Sequence, residues 1–568
     1  MTEPASVGGT TAEGKVEMTL DDQNRAPVSA ADSNRVEWGP SIGEAWSKVP
    51  ESSIIELVED ARRRDKHAIC LRMEDGGTLT RQELVNRVEV FAGFLSDRIS
   101  PGGRVGIALA NRPEFLVGWL ATLAARGVAV LISPDVGTHD GVHMLQDSRV
   151  DVLLVEHHQQ QRFEAMAERC ENAVHVVGVR GNEPDGLAWA TSSTPISLRD
   201  WRGSRGDTVT INYTSGTTGR PKACALKNAT WLRYVDVALR TSEWSPDPVA
   251  LCSLQMAYGD PLYIFLTALR ADGEMVVMRK FSVSRFWDVV GRFGVTHFVG
   301  IGAIPSLLLS RAPSPEERQH NMRLAVQIAI PKERHAELVE RFGVPWIDAY
   351  GLMESGPATT VPVGLADELI GSGSIGIPYP EVETRLIGPA GEDIDGPGEG
   401  ELALRAPGMF DGYENQPLAT EEMLRDGWLF TGDVVRRDER GLLYHLRRNK
   451  DVIRRSGSNI APAEVEEVLR EHPAVMQVAV AAVPDTLRGQ EVKAYVLLND
   501  SSASIDPIDL VEHCRGRLLD YKIPRYIEFR TEPFPMTMSM RIRKEDLTVA
   551  GVHGVENAWD REAGRQRR

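Results

Sequence analysis

The sequence predicts an α/β protein: a large N-terminal domain of parallel-sheet α/β subdomains with a small antiparallel subdomain, followed by a smaller α+β domain. Three changes of texture predict this. Over residues 104–299 short β-branched runs alternate with helical patterns, as parallel strands joined by crossover helices require. Over residues 382–404 the pattern becomes short strands punctuated by Gly388-Pro389 and Gly396-Pro397-Gly398, which reads as antiparallel. Near Asp451 a third texture begins, with helices and strands in a stretch of about 100 residues, enough for a domain.

Taken in order, residues 1–45 are rich in Thr, Ala, Ser, Glu and Gly, and such a segment buries too little to offset the entropy of ordering. A loose extension is expected there, without the basic start and apolar core of a secretory signal. Ile54-Ile55-Glu56-Leu57-Val58, followed by basic residues, reads as a helix. Residues 104–109, 127–132 and 150–155 read as strands, with a buried helix over 115–125 between the first two. That helical stretch is the longest apolar run. Gly118 and Thr122 interrupt it and Arg126 ends it, short of the roughly 18 residues of a membrane span. Strands are expected again over 208–212, 274–278 and 296–299. In the last region 464–470 and 510–519 read as helices and 475–483 and 492–498 as strands, while the polar stretch 551–568 reads as a frayed tail.

With 568 residues the chain has room for several cores, and 64 Lys plus Arg against 81 Asp plus Glu give a formal charge of −17. A surface this acidic repels a phosphate backbone, so nucleic acid is not an expected partner. The five cysteines (Cys70, Cys170, Cys224, Cys252 and Cys514) are widely spaced and odd in number. Neither a disulfide framework nor a zinc site fits that spacing, and a reducing, cytoplasmic location is expected.

Directly after Val209-Thr210-Ile211 comes Tyr213-Thr214-Ser215-Gly216-Thr217-Thr218-Gly219-Arg220-Pro221-Lys222. Glycines let backbone N–H groups converge on an anion, hydroxyls add donors, and Lys222 adds positive charge. Arg220-Pro221 intervenes where a Walker loop needs Gly-Lys followed by Ser or Thr. On composition alone a flexible surface turn is the alternative, because Ser, Thr and Gly clusters are common in loops.

The order of those residues resembles the phosphate loop of the adenylate-forming superfamily: acyl- and aryl-CoA ligases, luciferases and the adenylation domains of peptide synthetases. The likeness runs in register from about residue 50 to 548. It implies that Thr214, Ser215, Gly216, Thr217, Thr218, Gly219 and Lys222 hold the phosphates of ATP. It further implies that Tyr350-Gly351-Leu352-Met353-Glu354 flanks the adenine and α-phosphate, with Glu354 and Thr214 serving magnesium. Met353 stands where the family has threonine. Asp433, in Trp428-Leu429-Phe430-Thr431-Gly432-Asp433, matches the family's ribose carboxylate, and Arg448 the arginine directed at ribose or phosphate. Considered without that register, Asp433 is a turn residue and Arg447, Arg448, Lys450, Arg454 and Arg455 are a basic surface face.

The same resemblance implies a division into residues 46–446, a hinge at 447–452 with Lys450 as its pivot, and a mobile lid at 453–550. Arg455-Ser456-Gly457-Ser458-Asn459-Ile460 matches the segment lining the pantetheine path of CoA ligases. Near the end, Pro535-Met536-Thr537-Met538-Ser539-Met540-Arg541-Ile542-Arg543 places Arg541 at the family's catalytic lysine. A planar guanidinium does not reproduce a compact ammonium, so this departure bears on the acid accepted. Gln255-Met256 replaces an aromatic-His pair before Ala257-Tyr258-Gly259, and the glycine-rich segment beside adenine reads Gln327-Ile328-Ala329-Ile330-Pro331. These changes argue against common fatty or amino acids. Residues 281–287 and 340–344 are most similar to carnitine- and crotonobetaine-CoA ligases.

The resemblance implies an ATP-dependent ligase with ATP, Mg2+ and CoA, which activates a small acid as its AMP anhydride and passes it to CoA or an amine. An ATP-dependent diazotase of specialised metabolism, such as antibiotic biosynthesis, activating nitrite for an aryl amine, is the second expectation. A nucleotide-binding protein that has lost adenylation through Arg541 and Met353 is the third.

Overall fold

The computed structural model describes residues 36, 38, 50–180, 193–199, 201–214, 221–242, 244, 247–448, 453–456, 458–499, 505–537, 542–547 and 554–566. Most of the expected 1–45 extension lies outside them. So do residues 449–452 of the expected hinge, including Lys450.

Among the described residues, three sheets build the fold. A six-stranded sheet runs His175–Val179, Val152–Glu156, Arg104–Ala108, Val128–Leu131, Thr208–Thr214 and Lys222–Lys227, parallel except for the last pair. The expected buried helix forms at Pro113–Ala124, started by Pro113 at its first turn, where the missing N–H costs nothing. Trp119 on this helix is 0% exposed and donates its indole N–H to Thr210 Oγ1 at 3.1 Å, fixing the helix against the strand that leads to the hydroxyl-rich loop. Truncating a buried Trp of this kind costs about 3–5 kcal/mol.

The second sheet has 14 strands and changes character midway. Beyond an antiparallel edge strand, Thr78–Thr80, its first half is parallel: Ile69–Met73, Glu274–Val277, Val249–Cys252, His297–Ile301, Leu324–Ile328 and Trp346–Leu352. From Trp346–Leu352 onward pairing is antiparallel, through Gly356–Thr360, Ser374–Pro378, Leu443–Arg448, Trp428–Arg437, Gly398–Arg405 and Glu383–Ile387. Trp346–Leu352 is therefore the seam, with one parallel and one antiparallel neighbour. The largest buried cluster joins apolar residues of the six-stranded sheet, of this parallel half and of the helices between them, and a second lies against the parallel half alone.

The third sheet belongs to a separate C-terminal domain. Val475–Asp485 pairs with Gly489–Leu498, and that strand runs parallel to Tyr526–Arg530. Helices Pro462–Arg470 and Pro507–Cys514 pack on it through Val465, Leu469, Leu510 and Val511. The second helix stops at Cys514, earlier than the expected 519, and Gly516 follows at φ 75. The domain touches the first through Lys332–Glu467 and through Arg470–Glu333 at 3.3 Å.

One expectation, that of a frayed C-terminal tail, is corrected. Within 551–568, Trp559–Asp560 pairs with Tyr526–Arg530 and with Arg565–Gln566, so the polar stretch extends the third sheet instead of fraying. Ala558 and Asp560 are each 0% exposed, and Arg525 pairs with Asp560 at 3.3 Å. Near the start, Val36 N–H donates to the Arg440 carbonyl at 2.9 Å, and Trp38 stacks on Tyr379 at 5.9 Å. Those two residues dock on the antiparallel half, because aromatic stacking and a backbone bond supply what composition alone lacks.

Candidate active site

Strand ends from both large sheets converge on one cavity of about 990 Å³, lined among others by Leu131, Thr214, Ile328 and Leu352. That is at the upper end of ligand-site volumes, about 300–1,000 Å³, and open sheets bind ligands beyond the carboxyl ends of their strands.

Thr214 closes one strand and Lys222 opens the next. The two are direct partners in the antiparallel ladder, so the hydroxyl and the ammonium stand side by side at a hairpin tip. Ser215, Gly216, Thr217, Thr218 and Gly219, all expected phosphate donors, lie outside the described residues. Both Thr214 and Lys222 line the cavity, as do Tyr350, Gly351, Met353, Glu354 and Arg448. Glu354 is 6% exposed, and its Oε1 accepts the Tyr413 hydroxyl at 2.5 Å.

Asp433 is a buried carboxylate with three side-chain partners. At 1% exposure it accepts from the Tyr350 hydroxyl at 2.7 Å, from Arg448 Nε at 2.9 Å and stands 3.0 Å from His445 Nε2. Burial raises its pKa, but His445, Arg448 and Tyr350 together outweigh burial and hold it down at about 2. Thr431 and Gly432 line the cavity beside it, and Gly432 takes φ 72, the left-handed turn that glycine permits. Asp433 thus sits behind Tyr350 and Arg448 rather than on the open wall.

His445 was not foreseen in the sequence. Residues 445 and 448 on one strand differ by an odd number and would ordinarily face opposite sides. A register shift opposite Val434/Val435 pairs Asp433 with Arg448 and Val435 with His445, which brings both side chains to one carboxylate.

A recess on the other side of Tyr350 is built by one face of helix Asn228–Thr241, carrying Trp231, Tyr234, Val237 and Ala238 at helical spacing. Asp260 and Tyr263, three apart on helix Asp260–Arg270, face it. The rings of Tyr234 and Tyr263 meet edge-on at 5.8 Å. Burial first, then the Asp260 carboxylate, pushes the Tyr263 phenol well above its ordinary range. Of the pair Gln255-Met256 only Gln255 lines the cavity, since Met256 is 0% exposed in the core.

The segment 327–331 is held from behind. Asp348 accepts from the N–H groups of Ala329 at 3.1 Å and Ile330 at 2.9 Å, and Ala329 takes φ 70. Burial pushes the Asp348 carboxyl up to about 7, against the pull of those bonds.

From the C-terminal domain Met536, Thr537 and Arg543 reach the same cavity, and Met536 forms a bridge with Ile542. Arg541 lies outside the described residues. In the expected pantetheine segment Arg455 is committed to the buried Glu491 at 2.8 Å, and Ser456 takes φ 49, a left-handed conformation that favours glycine.

The family of AMP-binding enzymes matches residues 58–414, and the C-terminal domain of AMP-binding enzymes matches residues 464–541. A feruloyl-CoA synthase from Amycolatopsis sp is 32% identical over 498 residues, covering 85% of this chain and 96% of that protein. A crotonobetaine/carnitine–CoA ligase from Salmonella heidelberg (strain SL476) is 27% identical over 489 residues, covering 80% and 90%. The crystal structure of ATP-bound MatB from Rhodopseudomonas palustris superposes with a TM-score of 0.77 at 26% identity, covering 87% of this chain and 98% of that one. The chain belongs to the AMP-binding enzyme family, on the CoA-ligase branch of the adenylate-forming superfamily that its motifs resemble.

Proposed function

We propose that this member of the AMP-binding enzymes joins a small acid to AMP with release of pyrophosphate and then transfers the acyl group to CoA. The observation that carries this reading is the meeting of Thr214, Lys222, Tyr350, Glu354 and Arg448 on one cavity, with a segment of the C-terminal domain across it.

In this reading the triphosphate lies along the hairpin tip at Thr214 and Lys222, with residues 215–219 adding donors. Tyr350 and Gly351 flank the adenine, and the ribose hydroxyls exchange with the bonds that Tyr350 and Arg448 now make to Asp433. Glu354 and the Thr214 hydroxyl are hard oxygen donors, which fit magnesium. Among the described residues no group of three or more His, Cys, Asp or Glu could hold a metal. A magnesium ion bound through one or two protein oxygens plus phosphates needs no such group. When bound, it would neutralise charge on the triphosphate.

An oxygen of the acid attacks the α-phosphorus. The new O–P bond forms as the bond to the pyrophosphate oxygen breaks, with the developing charge facing Lys222 and Arg541. The chain contributes position and charge rather than a nucleophile. The CoA thiol, having lost its proton, then attacks the acyl carbon and AMP leaves.

The recess supports a compact acid with an aromatic or apolar body. Trp231, Tyr234 and Tyr263 supply the walls, and Asp260 favours a cationic or hydrogen-bond-donating group remote from the reacting carboxylate.

The test is pyrophosphate release with a panel of carboxylates, betaines and nitrite, each with and without CoA or an aryl amine. CoA-dependent turnover of a carboxylate is expected. Turnover of nitrite only with an aryl amine would replace the reading by diazotisation. MgATP binding without turnover of any acid would leave a nucleotide-binding protein.

A further inference from the structure

Tyr413 has no role in the reading above, yet it sits between two of its central residues. Its hydroxyl donates to Glu354 Oε1 at 2.5 Å, and its ring carries the Lys222 ammonium 5.0 Å from the centroid. The distance is within cation–π range. Tyr413 is 8% exposed, and the phenol also lies 2.9 Å from Met423 Sδ.

The placement is built. Phe410 N–H donates to the Glu354 carbonyl at 3.0 Å, and Glu414 N–H donates to the Ala223 carbonyl at 3.0 Å, one residue beyond Lys222. Tyr413 itself bridges Cys224, and Glu414 pairs with Arg104 at 2.9 Å. Residues 410–414 therefore lie as a strap across the phosphate hairpin and the Glu354 turn, with the Tyr413 ring directed between them.

Lys222 and Glu354 carry opposite charges on one cavity wall, and a direct ion pair would neutralise both. The lysine would then be lost to phosphate and the carboxylate to a cation, and binding MgATP would first require breaking the pair. Among the described residues Lys222 forms no ion pair, and neither does Glu354. The ring separates them, while its hydroxyl and face hold each in place with neutral contacts.

We infer that Tyr413 is a positioning residue: a neutral spacer that holds Lys222 and Glu354 apart and ready for the triphosphate and its cation. The inference rests on the reading of Lys222 and Glu354 given above. It predicts a specific non-additivity, because once the spacer is gone the lysine is captured by Glu354 and its own removal costs little.

The test is calorimetric binding of magnesium with α,β-methylene-ATP, which cannot be cleaved at the α-phosphorus, to the full chain and to Tyr413→Phe, Tyr413→Ala, Lys222→Ala and the double variant. Tyr413→Phe keeps the ring and should weaken binding by about threefold or less, and Tyr413→Ala by about tenfold or more. Lys222→Ala should weaken binding about tenfold or more in the parent, but less than about twofold in the Tyr413→Ala background. Equal losses from Lys222→Ala in both backgrounds would overturn the spacer role. A Lys222→Ala variant that binds as the parent does would instead overturn the phosphate-site reading itself. If Tyr413→Ala does not fold, as judged by its melting curve, Tyr413→Leu takes its place with the same expected pattern.

Discussion

The Tyr350 hydroxyl donates to Asp433 at 2.7 Å across 83 residues of chain, joining the seam strand to the antiparallel half of the sheet. One residue was expected at the adenine and the other at the ribose. Each is the other's partner, so the two proposed nucleotide contacts would be set by one internal bond. Asp433→Ala should therefore weaken MgATP binding by about tenfold or more. It should also lower stability by about 1–3 kcal/mol, because Tyr350, His445 and Arg448 lose a buried acceptor. Asp433→Asn keeps one acceptor and should lose less stability while still binding poorly. Calorimetry and thermal melts separate the two effects.

Arg541 is proposed to meet the developing charge on the α-phosphate. Arg541→Ala should reduce pyrophosphate release by about 100-fold with MgATP binding nearly retained, the scale of losing one transition-state donor. Arg541→Lys should also fall, if the forked guanidinium is fitted to the acid. A rise in that variant would mark the arginine as a poor substitute for lysine.

The recess should be read by its preference among acids. Aromatic acids bearing an amine or hydroxyl away from the carboxylate should be adenylated faster than their unsubstituted parents. Asp260→Asn should reduce that advantage by about tenfold in kcat/KM for the amine-bearing acids, since a charged partner is lost. Parallel pyrophosphate assays on matched pairs of acids check this.

Asp348 gives stability a pH dependence of known sign. Its folded pKa, pushed up by burial to about 7, lies above the ordinary carboxylate value of about 4. The contribution of its neutral form is complete below about pH 4 and is lost as pH rises through about 7. Between pH 5 and pH 8 this group should lower the melting temperature of the parent as pH increases. Asp348→Asn should show a shallower decline, measured by melting over that range.

Much of the frame was legible in the sequence because it rests on local pattern. The strand at Thr208–Thr214, the helix at Pro113–Ala124 and the antiparallel pair Glu383–Ile387 with Gly398–Arg405 follow from β-branched runs, an apolar stretch and Gly-Pro turns. Expected boundaries differ from the structure by only a few residues there. What was hidden depends on pairing at long range. His445 reaches Asp433 only because the register shifts, and nothing in Leu443–Arg448 itself announces that shift. Tyr413 lies in a polar Gly-containing stretch that reads as a loop. Its importance appears only when Lys222, 191 positions earlier, and Glu354 fold against it. Trp559–Asp560 escaped because two residues carry no periodicity, and their pairing is supplied by an existing edge at Tyr526–Arg530.

Trp38 stacks on Tyr379, donates its indole N–H to the Pro378 carbonyl at 2.8 Å, and so braces from behind a ring that lines the cavity. The back of the chamber is thus upholstered by a residue remote in sequence from every motif. Exchanging Trp38 for a small side chain would let Tyr379 swing outward, a way to enlarge the chamber for bulkier acids while leaving the nucleotide end intact.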